Sequence, residues 1–191
     1  MSSNPKIFQI GFNKCGTTSL HRFFLANGLT SVHWARGKIA RKLYLNHTAG
    51  QPLLSGMDEY DCFTDFEAPE ICLFGNQYFK ELYAQYPGSF FILNTRDKAA
   101  WLRSRALHAN GFLLKMMRMQ FGFSPKEASE YWSHEWDTHH SRVRDFFDSK
   151  DCLLVFDIEQ DDPQKLVGFL APTFTCDARH WGRANPSSES A

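Results

Sequence analysis

The 191-residue sequence has no uninterrupted apolar run approaching the roughly 18–20 residues that a membrane-spanning helix needs, so no membrane partner is expected. It has no excess charge of either sign. Its 21 basic side chains balance 21 acidic ones, which leaves no global field to draw it to nucleic acid or an anionic surface. It has no cysteine pairing pattern. Cys15, Cys62, Cys72, Cys152 and Cys176 are scattered, odd in number and without C-x-x-C spacing, which argues against a disulfide framework and for a reducing, cytoplasmic setting. H-E-x-x-H and similar ligand spacings are missing, so no metal is expected. The first six residues are polar and lack the apolar segment of a signal peptide. Repeats and internal linkers are absent too, which predicts one domain over residues 1–185 and a Ser-rich, disordered tail at 186–191. What the chain has in quantity is phenylalanine, 18 residues, enough to dominate a core.

The most informative stretch runs from Ile7 to Leu20. A short apolar run, Ile7-Phe8-Gln9-Ile10, reads as a buried strand. It breaks into a loop bounded by Gly11 and Gly16, after which Leu20, Phe23 and Phe24 follow at helical spacing. Strand, glycine loop and helix together form a phosphate cradle, with backbone N–H groups and the positive end of a helix dipole facing an anion. The nucleoside-triphosphate version reads G-x-x-x-x-G-K-[ST]. Here the glycines keep that separation, but Thr17 stands where the lysine belongs, and Lys14 sits inside the loop instead.

Further along, strands and helices alternate. Strands are expected at 6–11, 29–34, around 62–65, 89–95 and 153–156. Helices are expected at 16–26, 35–45, 71–86, from Asp97 onward, after the capping box Ser124-Pro125-Lys126-Glu127, and from Asp162-Pro163 to Leu170. That alternation predicts an α/β domain with a central parallel sheet flanked by helices. Arg96 directly follows the most apolar strand, at the carboxyl edge where open α/β sheets bind ligands, and Ser104 lies about two turns into the next helix. An arginine fork plus a hydroxyl suits a phosphate, and the flanking Arg103 and Arg105 add positive charge.

Lys14-Cys15-Gly16-Thr17-Thr18-Ser19-Leu20 resembles the 5′-phosphosulfate loop of sulfotransferases, K-[ST]-G-T-[ST]-x-[LW], and Arg96 with Ser104 resembles their 3′-phosphate pair in order and spacing. The resemblance implies a single-domain, three-layer fold like that of P-loop NTPases. It implies transfer of a sulfuryl group from 3′-phosphoadenosine 5′-phosphosulfate (PAPS), with PAP as product, to a hydroxyl or amine by in-line displacement. Carried over to this chain, Asn13, Lys14, Cys15, Gly16, Thr17, Thr18 and Ser19 would hold the 5′ end. Arg96 and Ser104 would hold the 3′-phosphate, joined by Arg183 of the 180–185 segment, with Trp181 covering the adenine. Cys15 replaces the usual small hydroxyl, and Ser19 replaces an aromatic residue that would stack on the base.

By the same resemblance the base is a His or Glu just after the strand preceding the 3′-phosphate strand, where this chain has Thr64-Asp65-Phe66-Glu67. Asp65 is the first choice, Glu67 the second, and His33, at the end of the second strand, a third. His134, His139 and His140 read as packing or surface residues of the long helix. Two rival readings stay open: a P-loop kinase or phosphotransferase working on ATP and magnesium, which the displaced lysine disfavours, and a non-catalytic nucleotide-binding protein. The acceptor, a small molecule or a carbohydrate, is weakly indicated. Residues 58–70 hold six acids and no base, which disfavours an anionic glycan, whereas Arg36, Lys38, Arg41 and Lys42 favour one if they face the same cleft. Phe63, Phe66, Phe112 and the methionines at 116, 117 and 119 are candidates for an apolar acceptor pocket, with core packing the first reading.

Overall fold

The computed structural model of the chain describes residues 4–182 and 184, so Arg183 and the tail at 186–191 lie outside the described residues. Five short strands form one parallel sheet: β1 (Ile7–Gln9), β2 (Ser31–His33), β3 (Cys62–Thr64), β6 (Phe90–Thr95) and β7 (Leu153–Asp157), in the order β2-β3-β1-β6-β7. Registers such as Phe8↔Phe63, Phe8↔Phe91 and Ile92↔Leu154 align their carboxyl ends. The strands read as continuous apolar runs because both faces of the sheet are covered. Ile7, Phe90, Ile92, Leu154 and Phe156 pack with Leu20, Phe23 and Phe24 of α1 (Thr17–Ala26) and with Leu166 and Leu170 of α7 (Pro163–Leu170). Phe8, Phe63, Phe91 and Leu93 face the other way. They meet α2 (Lys38–Thr48), α3 (Phe79–Gln85) and the carboxyl half of α6 (Pro125–Phe147). This is the three-layer architecture expected.

A third apolar cluster lies apart from both faces. Phe12, Trp101, Leu113, Met117, Trp132 and Trp136 join the loop after β1 to α4 (Lys98–Leu107), α5 (Phe112–Phe121) and the amino half of α6. The helix α6 starts where the capping box predicts, with Ser124 and Glu127 bonded reciprocally and Pro125 in the first turn. Its His139 and His140 are buried, and His139 Nε2 donates to the Ile10 carbonyl at 2.7 Å, as a packing role requires.

Two expected helices differ from the structure. Residues 71–86 are α-helical only over α3, which a short 3-10 turn at Gly75–Tyr78 precedes. Upstream, β4 (Glu67–Ala68) pairs antiparallel with β5 (Leu73–Phe74), because Cys72 takes a left-handed conformation (φ 54°) that ends the turn begun by Pro69. Residues 35–45 begin with a left-handed run through Trp34, Ala35, Arg36 and Gly37, so the regular helix starts only at Lys38. The helix α5 was not anticipated at all.

Gly11 marks the tightest contact beneath the loop. A Cβ there would stand 2.2 Å from the Asn94 carbonyl oxygen and 2.3 Å from its side-chain oxygen, backbone and side chain of the same residue. Gly11→Ala is therefore expected to cost about 2–3 kcal/mol, since a packed neighbour must move. Urea unfolding should show a lower midpoint at unchanged slope.

Candidate active site

Parallel strands bring their carboxyl ends to one edge, and the strand order decides which loops meet there. Read across that edge, the side chains are His33 after β2, Asp65 after β3, Lys14 after β1, Arg96 after β6 and Glu159 after β7. All five line one cleft of about 730 Å³. Asn13, Gly16, Thr17, Thr18, Ser19 and Ser104 line it as well, so the two anion motifs noted in the sequence converge. Cys15 does not line it. Its side chain is fully buried against the Phe12 and Trp101 cluster, and burial pushes its thiol well above the ordinary range, which leaves it a packing residue.

Two buried amides hold the loops in place. Asn94 accepts from Gly11 N (3.0 Å) and donates to the carbonyls of Phe12 (3.3 Å) and Cys15 (2.7 Å). Gln9 donates to Asn94 Oδ1 (2.5 Å) and accepts from Asp65 N (2.7 Å). On this support Lys14 and Gly16 both take left-handed conformations, φ 63° and 74°. A Cβ at Gly16 would also stand 2.9 Å from the Ile158 side chain. The helix α1 then begins with no capping side chain and no acid in its first turn. Thr17, Thr18 and Ser19 of its first turn line the cleft, where N–H groups have no partner within the helix.

Lys14 Nζ donates to His108 Nδ1 at 3.2 Å, an arrangement that places the His108 proton on Nε2. Burial lowers the Lys14 pKa, the nearby Asp65 opposes this, and Arg96 adds to it. Arg96 is largely buried. It donates to the Lys14 carbonyl at 3.3 Å and pairs with Glu159, while its buried Nε has no partner among the described residues. Ser19 Oγ accepts from Ala184 N at 2.9 Å, so a small residue here lets the returning chain close over the start of α1. Trp181 lines the cleft and packs edge-on against Phe23 and Phe156.

The three candidate bases are placed differently. Thr64 Oγ1 donates its one proton to the Val32 carbonyl (3.0 Å), so it accepts from His33 Nδ1–H at 3.1 Å. The His33 Nε2 lone pair therefore faces Thr18 Oγ1 (3.4 Å) and Asp65 Oδ2 (3.8 Å). Burial and the neighbouring His21 bring His33 down to about 4, so it is uncharged at neutral pH. Burial first, and then the Glu67 carboxylate, raise Asp65 to about 8. Glu67, though it lines the cleft, is committed elsewhere. It accepts from Asn13 N at 2.8 Å and pairs with buried Arg105 at 3.3 Å.

That pair was not legible in the sequence as a pair. Arg105 also donates to Asn13 Oδ1 (2.9 Å), and Trp101 Nε1 donates to the Asn13 carbonyl (3.0 Å), so three residues clamp the one preceding Lys14. Arg105 thus has its charge balanced by Glu67, and Arg103 is exposed and off the cleft. Neither adds the anion-binding charge expected of it. The basic residues at 36–42 do not line the cleft either, and Arg41 pairs with Glu70 at 3.3 Å. Backbone strain could have been guessed only at glycines. Yet Lys14, Trp34, Asp65 and Ala109 all line the cleft with positive φ, and such outliers gather where a fold over-determines a site. Among the described residues no three side chains of metal-ligand type converge, and no helix is long and apolar enough to cross a membrane.

The fold is an open parallel α/β sheet covered by helices, with a glycine-bounded loop leading from its central strand into α1. Within that class, residues 6–136 match the family profile described as a sulfotransferase domain, and the chain belongs to that family. No curated relative matches the sequence. Among solved structures, a sulfotransferase from Alicyclobacillus acidocaldarius is similar in fold. It is 16% identical, with a TM-score of 0.53, over 92% of this chain and 85% of that one. The family supports sulfotransfer as the general activity.

Glu67→Gln would leave the Arg105 charge buried without a counter-ion. It is expected to cost about 3–5 kcal/mol, read as a fall in denaturant midpoint. A loss under 1 kcal/mol would show that Glu67 does not carry the charge balance of the loop.

Proposed function

We propose that the protein is a PAPS-dependent sulfotransferase acting on a hydroxyl, or an amine, of a small acceptor. The observation that carries this reading is the order of groups along the sheet edge: a proton acceptor at Asp65 and His33, a cation at Lys14 in the middle, and a second cation at Arg96 on the far side. A 5′-phosphosulfate suits Lys14, the left-handed loop and the uncapped start of α1. A 3′-phosphate suits Arg96 together with Ser104, since both line the cleft. PAPS supplies a sulfuryl group on a phosphosulfate anhydride. The residues do the rest. Lys14 and the N–H groups of Gly16, Thr17 and Thr18 stabilise charge gathering on the leaving phosphate oxygens, in a cleft where water screens little. Asp65 takes the acceptor proton, and the His33 Nε2 lone pair beside it stabilises the carboxylic acid that forms. Trp181 stands at the adenine end. Arg183 of the same segment is kept as a candidate 3′-phosphate ligand.

One feature favours the phosphotransferase alternative: Asp65 directly follows the strand next to the loop strand, a position suited to a carboxylate that holds magnesium. Its raised pKa keeps it mostly uncharged at neutral pH, which weakens that role.

The test is calorimetric titration with PAP in the absence of magnesium, beside ATP with magnesium. PAP should bind the wild type, and Arg96→Ala should weaken it about 10- to 100-fold, the loss of a charged hydrogen-bonding partner. Binding of ATP with magnesium, without PAP, would overturn the assignment. Lys14→Ala should abolish turnover of PAPS while the melting temperature stays within a few degrees.

The pH profile gives a separate check. Asp65 acts as base only when ionised, and its pKa is raised to about 8. The rate, kcat/KM, should therefore climb through pH 7 and level off above about 8. Asp65→Asn should remove that limb along with most of the activity. A flat profile from pH 6 to 9 would exclude Asp65 as the base.

A further inference from the structure

Beside the cleft lies a second cavity of about 230 Å³, framed by α4, α5, α6 and the β4–β5 hairpin. Its wall is made of apolar rings and thioethers, chiefly Phe74, Trp101, Met116, Met117, Phe121 and Trp132. Pro69 and Leu113 line both cavities, so the two spaces share one partition. Pro69 and Asp65 line the same cleft, so the partition and the proposed base border one space.

The chemistry of the wall selects the occupant. Its one buried cation, Arg105, is balanced by Glu67. The guanidinium is also enclosed by the rings of Trp101 and Trp132, each 5.3 Å away, and Phe12 at 5.9 Å. A second anion on the occupant would find no free counter-charge there. Sugar hydroxyls would find few donors or acceptors, and an unpaired buried hydroxyl is costly. Size points the same way. An apolar cavity of about 150 Å³ holds benzene, so this one has room for one ring or two fused rings, and none for an oligosaccharide. The outer lip is apolar as well, since Phe121 and Tyr131 are 48% and 37% exposed beside it. Met116 and Met117 have side chains flexible enough to fit rings of differing shape.

We infer that this cavity is the acceptor subsite, and that the acceptor is a non-anionic hydroxy compound with a one- or two-ring apolar skeleton, its hydroxyl passing over Pro69 toward Asp65. This rests on the sulfotransferase reading above and names the substrate class of that site. Carbohydrates, left open by the sequence, are excluded by it.

The experiment uses the full chain saturated with PAP, and titrates it with 2-naphthol and, separately, with lactose. The wild type should bind 2-naphthol and not lactose. Met117→Trp, which fills the cavity from α5, should weaken 2-naphthol at least tenfold and leave PAP within twofold. Met116→Trp, nearer the surface, serves if the first variant unfolds. Methyl-labelled methionine spectra of the wild type need no variant: 2-naphthol should shift the Met116 and Met117 methyl signals and leave Met57 unmoved. Lactose binding in preference to 2-naphthol, equal 2-naphthol affinity in wild type and a folded variant, or unmoved Met116 and Met117 signals would each overturn the inference. Failure of PAP to bind the wild type would overturn the donor reading beneath it. PAP bound without 2-naphthol would sink the acceptor inference alone.

Discussion

Two side-chain amides on neighbouring strands, Gln9 on β1 and Asn94 on β6, hold the cleft together. Both are buried, and each of their polar ends is used. Asn94 binds the chain at Gly11, Phe12 and Cys15, and Gln9 reaches across to the backbone of Asp65. Hydrogen bonds in such a setting are strong, and breaking one leaves a desolvated partner behind. The loops after β1 and β3 are therefore tied to the same pair of strands. The left-handed turns at Lys14 and Asp65 follow from that tie, as does the need for a residue without Cβ at position 11.

Charge in the cleft is arranged by what surrounds it more than by how much of it there is. The six acids between 58 and 70 do not act as one negative patch. Asp61 is spent on Thr30 (2.7 Å), Glu70 on Arg41, and Glu67 on Arg105. Of the remaining three, Asp58 and Glu59 do not line the cleft, and Asp65 does, partly buried and with its pKa raised by burial and by Glu67. The buried Arg105–Glu67 pair gains little for stability as an isolated ion pair. Its value lies in geometry, since both partners grip Asn13 and so aim Lys14. The same arginine stands in the wall of the apolar cavity, so the loop and the second cavity share a mechanical boundary.

Much of this was legible from short-range signals. The strand, glycine loop and helix at the amino end were visible because each needs only local residue types. The capping box at Ser124 and the helix start at Asp97, whose side chain accepts from Ala100 N at 2.7 Å, were visible for the same reason. That Arg96 and Ser104 share one cleft follows from a strand end and a position two turns into the next helix. What misled were segments whose local preference is overridden by tertiary contacts. Residues 71–86 read as one helix, yet the hairpin that presents Glu67 to Arg105 takes up the start of that segment. Asn94 and Gln9 carried no sequence signal, because a polar residue in a strand looks like a flaw until its partners are known. His108 and Trp34 reach the cleft through left-handed turns formed by residues other than glycine, which no spacing rule anticipates.

The amino-acid sequence by itself determined the alternating elements and the two candidate anion motifs with their order, since these depend on hydropathy period, caps and loop chemistry within about 20 residues. Only the tertiary structure decided the strand order that sets Asp65, Lys14 and Arg96 side by side, and the identity of Glu67 as a clamp in place of a base. It alone revealed the apolar cavity behind Leu113. Each of these depends on contacts between residues far apart in the chain, such as those 54, 82 and 92 positions apart around Asn13 and Lys14. Contacts at that separation leave no periodicity in the chain, because they are made by packing and burial after the local elements have formed.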